Sequence, residues 1–132
     1  MTRRKIRKIV KRAIHLPRGS NLFKYIANKI YAYFLKKSKS LKVAYPSTIM
    51  LEVTNHCNLK CITCPREYLF GDQMDKGHMN FEKLKKIVDE AYPYIDSIGL
   101  TGLGETLLFN DLLNAVNYIK RKSKGIIVSC SI

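Results

Sequence analysis

The chain has 132 residues, enough for one ordinary domain, and 46% of them are hydrophobic, which excludes wholesale disorder. Its 24 Lys and Arg against 10 Asp and Glu give a formal net charge of +14, a balance that suggests nucleic acid until the charge is located. The four Cys do not form a secreted disulfide scaffold, because Cys57, Cys61 and Cys64 fall within eight residues and are spaced for a metal or cluster.

Residues 1–46 contain fourteen Lys and Arg and no Asp or Glu, whereas residues 47–132 contain ten of each sign. All of the net charge therefore belongs to an N-terminal arm, and residues 47–132 form a neutral domain. Two amphipathic helices are predicted in the arm. In residues 3–14, Ile6, Ile9, Val10, Ala13 and Ile14 recur at helical spacing opposite a basic face, and Pro17 and Gly19 end the pattern. A second helix starts at a cap on Ser20 or Asn21 and runs to about Lys37, with Leu22, Phe23, Tyr25, Ile26, Ile30, Tyr31, Phe34 and Leu35 in an apolar face too broad to leave in water. Ser38 to Ser40 read as a linker.

The arm is neither a secretory signal nor a membrane span. It has no uninterrupted apolar stretch after its first charges, and Lys24, Lys29, Lys36 and Lys37 break the only candidate run. Three readings remain open. The second helix packs on the domain with its charge solvated, the arm lies on an anionic membrane surface, or it binds nucleic acid through phosphates and stacked tyrosines.

From Pro46 the pattern alternates. Thr48–Thr54 reads as a strand, and the 25 residues 55–79 as a loop holding three cysteines. Asn80 is placed to cap a helix with Phe81, Leu84, Ile87, Val88 and Ala91 on one face, stopped near Pro93. Ser97–Thr101 is a second strand. Asp111–Lys122 is a helix with Leu112, Leu113, Val116 and Ile119 inward, and Ile126–Ser131 is a third strand. Strand–helix–strand–helix–strand predicts an α/β fold with parallel strands. Sites in such folds gather at the carboxyl ends of the strands, where the long cysteine loop begins.

Cys57, Cys61 and Cys64 form C-x3-C-x2-C. Three thiolates on one loop suit a soft metal centre, whereas structural zinc usually takes four closed ligands. Cys130, inside the predicted third strand, reads as a small buried hydrophobe. His56 or His78 would close a zinc site. The alternative to a cluster is therefore a zinc-binding module whose basic arm contacts nucleic acid or a membrane surface, without catalysis.

The segment Thr54-Asn55-His56-Cys57-Asn58-Leu59-Lys60-Cys61-Ile62-Thr63-Cys64-Pro65-Arg66, placed after a strand, resembles the signature loop of the radical S-adenosylmethionine (SAM) enzymes. The likeness is strongest to the branch that includes peptide- and cofactor-maturing enzymes. Thr101-Gly102-Leu103-Gly104-Glu105-Thr106, one β/α unit later, is similar to the family's Gly-Gly-Glu segment. Two positions depart from the family's usual pattern. Thr63 stands where an aromatic or large apolar residue is common, and Thr106 where Pro is usual.

The resemblance implies an incomplete parallel (β/α) barrel of the radical SAM type. It implies a [4Fe-4S] cluster on Cys57, Cys61 and Cys64, with SAM chelated at the fourth iron. Gly102 and Gly104 would admit the cofactor backbone-close, and Glu105 would meet its amino group. An external electron donor would reduce the cluster, SAM would yield a 5′-deoxyadenosyl radical, and that radical would take hydrogen from a substrate. No further catalytic residue is assigned. Lys60 and Arg66 read as solvated loop charges or as groups that steer acidic partners. Glu52 is either an inward ligand-binding group or an exposed edge residue. Thiolate ligation favours reducing surroundings, hence the cytoplasm, with the arm allowing a peripheral place at the inner face of the membrane. The family's core has six β/α units and this sequence about two and a half, so the expectation is the N-terminal part of a longer enzyme, inactive by itself.

Overall fold

The computed structural model describes residues 20–68, 71–122 and 126–130. The predicted helix over residues 3–14 lies outside them. In chain order the regular elements are α1 (Ser20–Lys37), β1 (Thr48–Leu51), α2 (Phe81–Ala91), β2 (Ser97–Leu100), α3 (Leu112–Lys122) and β3 (Ile127–Ser129). The three strands form one sheet in the order β1-β2-β3, parallel throughout, with Ile49 opposite Ile98 and Ile98 opposite Val128. The fold is thus α/β with consecutive parallel neighbours, as the alternating pattern predicts.

Strand periodicity divides the sheet into two unlike faces. Ile49, Leu51, Ile98, Leu100 and Val128 belong to one face and pack with Leu84 and Val88 of α2 and Ala115 and Ile119 of α3 in a single core. The other face carries Thr48, Met50, Ser97, Gly99, Ile127 and Ser129, and there Met50 and Ile127 are exposed. That side mixes small and polar residues with the two exposed apolar side chains of Met50 and Ile127.

The helices start and stop for local reasons. The Asn80 side chain accepts from the Glu82 and Lys83 backbone N–H groups at 2.8 and 3.3 Å, satisfying two donors of the first turn of α2. α1 ends where Lys39 takes φ 51° and the Ser40 N–H reaches back to the Leu35 carbonyl, the closure a helix makes when its next residue turns left-handed. Between α2 and α3, Asp89 accepts from Lys122 at 2.9 Å and from the Tyr118 hydroxyl. The Lys122 bond, opposed by partial desolvation and aided by Tyr118, holds the Asp89 carboxyl below its usual range. The same bond holds the Lys122 ammonium above its own.

Four expectations need correction. β1 stops at Leu51 rather than Thr54, because the Val53 carbonyl turns to the Met79 N–H and Thr54 bridges His78 antiparallel. Leu113 points outward, and Ala115 takes the buried place in α3. Cys130 is exposed and lies just past β3, since the pairing with β2 runs out at Ser129 opposite Gly99. The apolar face of α1 is covered only in part: Leu22, Tyr25 and Leu35 are half-buried, whereas Phe23, Ile26, Ile30, Tyr31 and Phe34 are exposed. On its domain side the helix docks through polar groups as well: Asn21 donates to the Tyr92 hydroxyl, Tyr25 and Lys29 reach Asp96, and Asn28 brackets Tyr45.

Candidate functional site

Two segments leave the carboxyl ends of neighbouring strands. The cysteine loop follows β1, and the Gly102–Glu105 segment follows β2. In a parallel sheet both ends lie on one rim, so topology alone brings the two motifs side by side.

The base of the cysteine loop is tied by Asn55. Its backbone N–H donates to the Gly77 carbonyl at 3.2 Å, its side-chain Nδ2 donates to the Asp75 carbonyl, and its Oδ1 accepts from the Gly77 N–H. Thr54, buried beneath, turns its hydroxyl oxygen to the His56 N–H at 3.1 Å. Together with the Thr54–His78 bridge, these bonds draw the two ends of the loop together. Asn55 was not predicted as a site-shaping residue. An Asn directly after a β-branched strand was the available signal, since its amide can satisfy main-chain groups in a turn.

The cysteines sit on the surface side of that base. Cys61 is exposed, while Cys57 and Cys64 are half-buried. The Leu59 N–H donates to Cys57 Sγ at 3.4 Å, and the Cys64 N–H closes a turn on the Cys61 carbonyl at 3.0 Å. The donor set suits a soft, iron–sulfur type of centre: three thiols on one loop, one of them receiving a main-chain N–H. Among the described residues, however, no three His, Cys, Asp or Glu side chains converge to hold a metal ion. The fit is one of ligand chemistry and loop position rather than of a preformed cage.

The glycine segment meets the same base through main-chain atoms. The Glu105 N–H donates to the His56 carbonyl at 2.8 Å. At Gly104 the approach is so close that a Cβ would lie 2.2 Å from the Thr54 carbonyl oxygen and 2.7 Å from the His56 one. At Gly102 a Cβ would strike the Glu52 side chain, whose Oε1 accepts from the Leu103 N–H at 2.6 Å. Both glycines lie where a Cβ would meet neighbouring atoms, those of the cysteine-loop stem at Gly104 and of Glu52 at Gly102. Glu52 lies past the end of β1 and is exposed, so its observed role is to grip the glycine segment.

The buried Glu105 carboxylate accepts from the Leu107 N–H at 3.1 Å, capping the short turn Thr106–Leu108. The Thr106 hydroxyl, fully buried, donates to the Leu100 carbonyl at 2.6 Å and so finishes the last residue of β2. His56 and His78 stack with ring centroids 4.6 Å apart, and His78 lies 6.2 Å from the Phe109 ring. The structure brings these histidines to each other, and among the described residues no third metal-ligating side chain joins them. A recess of about 300 Å³ beside the loop base is lined by Glu52, Thr54, Asn55, Lys76 and His78. Cys130, exposed beyond β3, belongs to neither segment.

No family model matches the chain, and no solved structure matches it. Among curated proteins it is similar to the "Tungsten-containing aldehyde ferredoxin oxidoreductase cofactor-modifying protein" of Pyrococcus furiosus, with 26% identity over 83 residues. That stretch is 61% of this chain and 22% of the relative, so the chain spans less than a quarter of the protein it matches.

Proposed function

We propose that the chain carries the cluster- and SAM-binding portion of a radical SAM enzyme, with an incomplete (β/α) barrel as its fold. The observation that carries this reading is the main-chain junction between Gly104–Glu105 and Thr54–His56, which joins the two motifs on one rim of a parallel sheet. The relative's printed name points to cofactor modification, and we extend that class of reaction to this chain.

Cys57, Cys61 and Cys64 would hold a [4Fe-4S] cluster, and the Leu59 N–H would steady the Cys57 thiolate. When bound, the cluster and SAM supply one-electron cleavage of a sulfonium C–S bond, which generates the radical that takes hydrogen from substrate. The chain's own work is to position. Gly102 and Gly104 keep the segment low against the loop base, and Asn55 fixes where the loop starts. Glu105 would offer a carboxylate to the SAM amino group while the Leu107 N–H holds one of its oxygens. An external electron donor would complete the requirement, and thiolate ligation would favour reducing surroundings such as the cytoplasm.

Anaerobic reconstitution of the 132-residue chain with iron and sulfide tests this. Brown, broadly absorbing protein is expected, with its iron lost in Cys57→Ser, Cys61→Ser and Cys64→Ser and retained in Cys130→Ala. Added SAM should alter the electron paramagnetic resonance spectrum of the reduced cluster. A chain that takes up only colourless zinc, or that holds iron equally well without Cys61, would overturn the assignment.

A further inference from the structure

α1 is turned inside out relative to an ordinary surface helix. Asn21, Tyr25 and Asn28, at three- and four-residue spacing, face the domain and bond to Tyr92, Asp96 and Tyr45. Phe23, Ile26, Ile30 and Phe34 share the opposite face by the same periodicity, with Phe23 77% and Phe34 61% exposed. Solvent-facing aromatic and branched residues in a continuous stripe mark an interaction surface. The apolar exposure continues past the helix, where Leu41 and Val43 are fully or nearly fully exposed. A recess of about 380 Å³ between Phe23, Ala27 and Tyr31 on one side and Val43, Tyr45 and Tyr94 on the other borders the stripe.

The charge around the stripe identifies its partner. Residues 20–46 hold Lys24, Lys29, Lys36, Lys37, Lys39 and Lys42 and no acidic residue. Lys29 is engaged with Asp96, while Lys24, Lys36, Lys37, Lys39 and Lys42 are exposed. A second copy of the chain would set lysine against lysine across the apolar contact. Nucleic acid would match the lysines but has no use for Ile26 and Ile30, since bases stack on flat rings. A bilayer with anionic headgroups takes both features at once: aliphatic and aromatic side chains enter the boundary of the acyl region, and lysines reach the phosphates. Among the described residues no helix is long and apolar enough to cross a membrane, so the geometry is that of a helix lying on its surface.

We propose that the outer face of α1, with the Lys39–Val43 segment after it, docks the protein on an anionic lipid bilayer. The docked helix leaves Asn21, Tyr25 and Asn28 holding the domain through Tyr92, Asp96 and Tyr45, which precede β2 and β1, so the amino-terminal end of the sheet, opposite the cysteine-loop rim, is the end nearer the membrane. This assignment stands independently of the cluster.

Co-sedimentation of the full 132-residue chain with vesicles tests it, comparing phosphatidylcholine alone with phosphatidylcholine plus phosphatidylglycerol. Binding at least about tenfold tighter to the anionic vesicles is expected, weakening as salt is raised. The triple variant Phe23→Ser/Ile30→Ser/Phe34→Ser keeps every basic residue and every bond between α1 and the domain. It should fold as the parent does by circular dichroism and bind at least about tenfold more weakly. Equal binding to neutral vesicles, or unchanged binding by the triple variant, would overturn the proposal. So would concentration-dependent dimerisation abolished by the triple variant, or single-stranded RNA binding that needs the same three residues.

Discussion

Replacing Gly104 by alanine tests the main-chain junction most directly. The φ of Gly104 lies outside the left-handed region, so the backbone itself accepts alanine and only space forbids it. The added carbon would sit 2.2 Å from the Thr54 carbonyl oxygen, 2.7 Å from Asn55 Cα and 2.7 Å from the His56 carbonyl oxygen, all of them rigid main-chain atoms. Relief requires the two segments to part by more than 1 Å. That movement breaks the 2.8 Å bond from the Glu105 N–H to His56. Overpacking of this kind costs roughly 1–3 kcal/mol, and the lost bond about 1 kcal/mol more, for a total of about 2–4 kcal/mol. Gly102→Ala meets Glu52; rotation can free its Cγ and Oε1 at the cost of the bond to Leu103, but its Cβ at 2.7 Å is fixed to the main chain, so a shift of that backbone is also needed and about 1–3 kcal/mol is expected. Gly77→Ala meets no atom within 4 Å and should change stability by less than about 0.5 kcal/mol. Urea unfolding followed by circular dichroism measures all three, with the effect read from the midpoint at unchanged slope. Gly104→Ala as stable as Gly77→Ala would refute the close approach and with it the joined site.

Asn28→Ala removes both 3.0 Å bonds to the Tyr45 main chain and should destabilise the chain by about 1–2 kcal/mol in the same assay, exposing whether α1 is fastened by polar contacts. Thr106→Val keeps the shape of the side chain but leaves the Leu100 carbonyl without its buried hydroxyl donor, so a loss of about 1–2 kcal/mol is expected; a neutral result would deny that bond a role. Asp89→Asn has a pH signature. The carboxylate's folded pKa is lowered and the Lys122 ammonium's is raised, so the pair's stabilisation is full between their ordinary values. It is lost on the acid side as pH falls through the lowered pKa of Asp89, and on the alkaline side as pH rises through the raised pKa of Lys122. Both groups are well exposed, so the melting-temperature deficit of Asp89→Asn at pH 7 should be small, and it should vanish in acid; a deficit that persists there would refute the ion pair as its cause.

The elements of the domain were legible because each has a local cause. The Asn80 cap, the Leu84–Val88 face and the β-branched strands are short-range signals, and the structure places them within a few residues of the expected bounds. What failed to show was pairing. Residues Glu52–Thr54 look like strand, but Val53 and Thr54 leave the sheet to meet Met79 and His78, partners 24 to 26 positions away that strand propensity does not reveal. Leu113 and Ala115 differ for a related reason. Leu113 fits an inward pattern on hydrophobicity alone, yet close packing of α3 on α2 and the sheet admits Ala115 at the buried position. In the candidate site, the cysteine spacing and the two glycines were plain in the sequence. Asn55 and Glu52 were not, because each acts on main-chain groups that only the folded loop brings near.

The two segments meet through main-chain atoms, not through the side chains of Thr63 or Thr106. The junction consists of the Glu105 N–H on the His56 carbonyl, the Leu103 N–H on Glu52, and glycines with no side chain to object. Neither Thr63 nor the side chain of Thr106 contributes an atom to it. Thr106 instead uses its hydroxyl to finish β2, a task that a proline at that position cannot perform through a side-chain donor. Main-chain contacts constrain where the chain runs and which positions must be glycine, and they leave the neighbouring side chains free to vary. The path of the loop is set by Asn55, Gly104 and the sheet beneath, and Thr63 takes no part in it. Exchanging Thr63 for phenylalanine should accordingly leave the urea midpoint within about 0.5 kcal/mol of the parent, because the side chain is exposed and touches none of the junction atoms. A loss as large as that expected for Gly104→Ala would show that side chains of the loop, and not only its main chain, hold the two segments together.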